Sequence, residues 1–124
     1  MANELTLSIK ATYAKSGTEI TFPDPAHQSI QSTVTGSRFL VMRQAVGTSE
    51  EALELGDIST GGYCVMFNRD ATNFVSIRPA TGAANTIRIN PGEFAVFRFG
   101  SGATAPFAIA DTAAVDVEYF LLQA

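Results

Sequence analysis

Asn68, Arg69, Asp70 and Asn73 stand within six positions of one another in "GGYCVMFNRDATNFVSI", residues 61–77, the densest group of polar, chemically able side chains in the chain. Their oxygens are hard ligands of the kind calcium takes. The spacing, however, does not give the D-x-[DN]-x-[DN]-G loop, and no glutamate follows at the closing distance. The same residue types are what a tight turn uses, because Asx side chains bond to nearby backbone amides and tolerate left-handed conformations. The group therefore reads as the tip of a β-hairpin. Asn68, Asp70 and Asn73 shape its backbone, Tyr63, Val65, Phe67, Val75 and Ile77 anchor its strands in the core, and Arg69 is exposed at the tip.

Other chemistry is sparse. The single histidine, His27, sits in the proline-bounded loop "PDPAHQ" with no cysteine or second histidine near it to share a metal. The single cysteine, Cys64, lies in an apolar strand between Tyr63 and Val65, which predicts a small, inert, buried or half-buried thiol and no intramolecular disulfide. No phosphate loop, hydrolase elbow or zincin motif occurs. We assign no catalytic, cofactor-binding or metal-ligating residue and expect a non-enzymatic chain without cofactors. Four arginines, Arg69, Arg78, Arg88 and Arg98, are the interface candidates, because a guanidinium pairs with carboxylate in planar, bidentate fashion. A carbohydrate-binding role would instead need exposed Tyr13, Tyr63 or Tyr119 to stack on sugars.

Alternation of apolar and polar residues sets the elements that hold these groups. In "ELTLSIKATY", Leu5, Leu7, Ile9, Ala11 and Tyr13 share one face, which predicts a half-buried strand; "AKSG" then turns it into "TEITF", giving a hairpin. Strands follow in "SIQSTVT" and in "RFLVMRQAV", the latter apolar on both faces as a central strand would be. "GTSEEALELGDIS" suits either two turns of helix capped by Ser49 or a strand, with strand preferred. The rest is regular: "GYCVMFN", "NFVSIRP", "NTIRIN", "EFAVFRF", "PFAIAD" and "VDVEYFLLQ", each followed by small or turn-forming residues. In "NPGE", proline presets φ and glycine supplies the positive φ of a type II turn. This pattern predicts an all-β chain forming one domain over residues 1–124. It would be an antiparallel β-sandwich, jelly roll or small barrel, with at most one short helix.

The chain has 124 residues, enough for one core. Charged residues make up only 16% against 46% hydrophobic, below the usual charged fraction of about a quarter, so part of the surface is expected to lie against a partner. A net charge of −4 argues against general attraction to nucleic acid. The charge is nonetheless uneven. Residues 61–100 carry a net +2 between flanks that are each −3, a distribution suited to contacts between copies. No leader pattern precedes "LTLSIK" and no apolar run approaches membrane-spanning length, so synthesis in a reducing cytoplasm, with no membrane partner, is expected.

The ordered series "GGYCVMFNRDATNFVSI", "INPGEFAVFRF" and "PFAIADTAAVDVEYFLLQA", from Gly61 to Ala124, resembles small structural proteins encoded among the head and tail genes of tailed bacteriophages. The resemblance implies a compact β domain present in many copies in the virion, commonly a dimer or trimer, with no enzymatic activity. Its partners would be the major capsid protein or another virion protein. Within that group the role implied is capsid decoration, a cement protein on the outside of the head. A tail, collar or spike-base component is the alternative in the same class, and a carbohydrate-binding β-sandwich module the alternative outside it.

Overall fold

Strands dominate because β-branched and aromatic residues recur at a period of two between short turn-forming separators. The computed structural model describes residues 4–23, 28–100 and 105–124, and none of these is helical. The chain divides into two compact units, Met1–Thr35 and Gly36–Ala124.

The first unit is a ribbon of two successive two-stranded sheets. Strands β1 (Leu5–Ile9) and β2 (Ala11–Lys15) run out, and β3 (Thr18–Phe22) and β4 (Gln28–Ser32) run back, β2 pairing with β3 and β1 with β4. The reversal uses Ser16 and Gly17, both at positive φ (50° and 83°), the two-residue geometry whose twist matches that of paired strands. The hairpin predicted from "AKSG" is therefore present. The predicted half-burial is not: of its described residues only Leu5 is buried, while Ile9, Tyr13, Ile20, Phe22 and Ile30 are all exposed. Alternation sorts residues onto two sides of a strand but supplies nothing to cover either of them.

The second unit is an eight-stranded sandwich: β5 (Phe39–Val46), β6 (Glu51–Ala52), β7 (Gly61–Asn68), β8 (Val75–Arg78), β9 (Ile87–Ile89), β10 (Phe94–Arg98), β11 (Phe107–Ala110) and β12 (Val115–Gln123). The antiparallel pairs are nested: β8 with β9, β7 with β10, β6 with β11, and β5 with β12. Rolling that long double strand brings β12 against β7 and β11 against β8. Two open four-stranded sheets result, β10-β7-β12-β5 and β6-β11-β8-β9, the winding of a jelly roll rather than a closed barrel.

The core lies between these sheets. Val46, Cys64, Met66, Val117, Tyr119 and Leu121 from the first sheet meet Val75, Ile77, Ile89 and Ala108 from the second, all at most 3% exposed. Gly61 is required where the sheet closes over Phe99, since a Cβ there would collide with the ring. The segment that could have been helix is extended instead: β6 pairs with β11, and Leu53 and Ile58 enter the core. Glu51 holds it down, its carboxylate accepting from the Gly47 amide (3.1 Å) and Gln44 Nε2 (3.0 Å). Strand β5, apolar on both faces, is an edge strand and not a central one.

Candidate interaction surface

The polar group at 68–73 is a corner, not a hairpin tip. β7 and β8 belong to different sheets, and the segment between them carries the chain from one layer to the other. Asn68 is 1% exposed and organises that corner, its amide donating to the carbonyls of Asn73 (3.0 Å) and Ile89 (2.9 Å) while its oxygen accepts from the Asp70 amide (2.8 Å). The Asp70 carboxylate accepts from the amides of Asn73 and Thr72, and these bonds hold its pKa below the ordinary 3.8. The turn-forming role expected for these three residues stands, and among the described residues no group of three or more His, Cys, Asp or Glu could hold a metal.

Burial along β7 runs opposite to expectation. Cys64, Met66 and Asn68 point inward, whereas Tyr63, Val65 and Phe67, expected in the core, face out and are half-buried. Val75 and Ile77 are in the core as expected. Both parities of β7 are apolar, so sequence alone could not choose between them.

The outward residues of β7 belong to an apolar face that crosses the whole first sheet. Val96, Val65, Phe120 and Val41 form one continuous row across four strands. The next row is Phe94, Phe67, Glu118 and Arg43, with the Phe67 and Phe94 rings 5.4 Å apart. Phe39 pairs with Leu122 beyond them. Phe39 (68%), Val41, Phe94 and Val96 are exposed, and a shallow hollow of about 160 Å³ lies between Val41, Val65, Phe67 and Phe120. The sequence signal for this face was "RFLVMRQAV" and "EFAVFRF", two segments apolar on both sides. An edge strand with one bare apolar side carries that signal as well as a central strand does.

The four candidate arginines are not gathered at one place. Arg69 and Arg98 border the apolar face: Arg69 Nε donates to Glu118 Oε1 (2.7 Å) with its guanidinium 4.5 Å from the Phe67 ring centroid, and Arg98 stands 5.1 Å from that of Tyr63. Such partly exposed contacts fix orientation more than they stabilise. Arg88 lies over Phe74 at 3.7 Å, away from that face. Arg78 is engaged internally, donating to Glu50 (2.9 Å) and Asn85, while Glu50 also accepts from the Gly82 amide. The Thr81 hydroxyl, the Gly82 amide and Arg78 hold the Glu50 carboxyl below its ordinary 4.5.

Tyr119 is 2% exposed, and its hydroxyl donates to the Glu54 carbonyl at 2.6 Å, so it is a core residue and no stacking platform. Burial raises its pKa and pushes the Cys64 thiol up to about 12, leaving that sulfur a protonated packing group. His27 lies outside the described residues. A second hollow, about 200 Å³ between Ile77, Ile87, Phe97 and Phe99, has Arg78 as its only charged neighbour among the described residues. No helix among the described residues is long and apolar enough to cross a membrane.

The geometry defines an all-β sandwich with jelly-roll winding and a broad apolar sheet face bordered by arginines. No protein-family model matches the chain, and comparison with curated proteins and with solved structures gives no match.

Proposed function

We propose that this chain is a non-enzymatic structural protein of a virion, a decoration protein that binds the outside of a phage head and stabilises it, assembled in the host cytoplasm. The observation that carries the reading is the exposed apolar face of the sheet β10-β7-β12-β5. Apolar patches of several hundred Å² mark binding surfaces more often than bare solvent-facing area. Two further features support it: the bacteriophage resemblance over Gly61–Ala124, and a jelly-roll winding that recurs in viral capsid domains. Fold alone does not assign a role, which is why the face and not the winding bears the weight.

Incubating the purified chain with undecorated heads tests the reading. The expected result is saturable binding at a copy number comparable to that of the shell protein, with heads that survive higher temperature. Binding confined to tails or to a few vertex positions would move the role to a tail, collar or spike base. Absence of binding to any virion part would overturn it. Deleting residues 2–9 further asks whether the first strand adds to the shell; undiminished binding removes it from the contact.

A further inference from the structure

Each of the two units carries exposed large apolar side chains. On the ribbon, cross-strand pairing places Tyr13 opposite Ile20 and Ala11 opposite Phe22 on one side of β2-β3, and Leu7 opposite Ile30 on one side of β1-β4. The other side of β2-β3 carries Thr12 opposite Thr21 and Ala14 opposite Glu19, and that of β1-β4 Ser8 opposite Ser29, the two serine hydroxyls 2.6 Å apart. A two-stranded hairpin by itself is marginally stable in water and needs a third surface to cover its apolar side. On the sandwich, Phe39, Val41, Phe94 and Val96 expose the outer side of the first sheet.

We propose that the apolar side of the ribbon of one copy docks on the outer face of the sheet β10-β7-β12-β5 of a second copy. Three observations favour a second copy as the occupant. First, area: Ile9, Tyr13, Ile20, Phe22 and Ile30 are 46–65% exposed and the four sheet residues 45–68%. With roughly 200 Å² for a full aromatic side chain, each surface offers on the order of 400–500 Å². One contact then buries about 900 Å², and two reciprocal contacts reach the 1,200–2,000 Å² of a stable interface. Second, chemistry: Glu19 falls on the far side of the ribbon, while Glu118 on the sheet face is already paired with Arg69 (2.7 Å) and near Arg43 (3.9 Å), so the carboxylate that docking would cover has its counter-charge in place. Third, form: both surfaces are antiparallel sheet, which packs face to face at about 10 Å through interdigitating side chains. A chain that carries both halves of such a contact meets its complement in every other copy, and the exchange closes as a dimer or a ring. This contact needs no virion, so it can hold whether or not the chain binds heads.

Complementation between two full-length variants tests it. V41K/F94K breaks the sheet face and keeps the ribbon; I20S/F22S breaks the ribbon and keeps the face. Sedimentation equilibrium is expected to show the natural chain self-associating, each variant weakened by about tenfold or more, and the mixture forming a heterodimer that neither variant forms alone. Three results would each overturn the proposal: a natural chain monomeric at all accessible concentrations, an I20S/F22S variant that associates as well as the natural chain, or a mixture that fails to associate. If circular dichroism shows either variant unfolded, the milder pair Tyr13→Cys and Val41→Cys replaces them. Under oxidation the mixture should give a linked pair containing one of each variant, faster than either alone gives a homodimer. Absence of that preference overturns the proposal equally.

Discussion

The ribbon and the sandwich are written in the same alternating code and use it to opposite ends. In β12, Val115, Val117, Tyr119 and Leu121 are at most 2% exposed because a second sheet lies over them. In β2 and β3, Tyr13 and Ile20 are equally regular in spacing and more than half exposed. Period-two patterning thus fixes which side chains travel together, while burial is decided by a covering layer that comes from elsewhere in the chain or from another molecule.

That contrast can be broken most forcefully by making the same change in both regions. Leu121→Ala opens a cavity beneath the central strand of the first sheet and should cost about 2–5 kcal/mol in chemical denaturation. Ile20→Ala, in dilute solution, should cost less than about 1 kcal/mol. Similar losses at the two sites would mean that the ribbon has its own core after all. Next in size comes Asn68→Ala. It removes the side-chain donor to the carbonyls of Asn73 and Ile89 at a buried position, for which about 1–3 kcal/mol is expected. A variant as stable as the natural chain would show that the corner is held by backbone alone.

The smallest effect is a pH dependence confined to the sandwich. Asp70 and Glu50 both have folded pKa values below their ordinary 3.8 and 4.5. A lowered folded pKa contributes stability that is complete above the unfolded value and is lost as pH falls through the folded one. Thermal midpoints should therefore decline as the pH is taken below about 4.5, and D70N and E50Q should each make that decline shallower. Unchanged acid slopes in both variants would transfer the effect to other carboxylates.

Much of the fold was legible because its signals are local. Strand positions followed from alternation, and "NPGE" makes its predicted turn, with Gly92 at φ 77° and the Glu93 amide donating to the Asn90 carbonyl at 3.0 Å. What was not legible depends on distant partners. "NRDAT" has the composition of a hairpin loop, and only the pairing of β8 with β9 and β11 reveals that it crosses between sheets. The outward face was hidden for a related reason. Where Val65 and Met66 are both apolar, nothing in β7 itself says which of them will be covered. The arginines show the same limit: Arg78 is drawn inward by Glu50, 28 positions away in sequence, and no spacing rule anticipates that pair.

The nested pairing of strands also sets the order in which the molecule can be made. Strand β12 lies between β5 and β7 and is the only hydrogen-bonded neighbour of β5 among the described residues, so Phe39 waits for Leu122 to be synthesised. With a partner roughly 80 residues later in the chain, β5 is among the most non-local pairings the fold contains, and such contacts close slowly. A ribosome translating this sequence would thus hold an apolar, unpaired strand until β12 had emerged. The sandwich cannot close before β12 has been made.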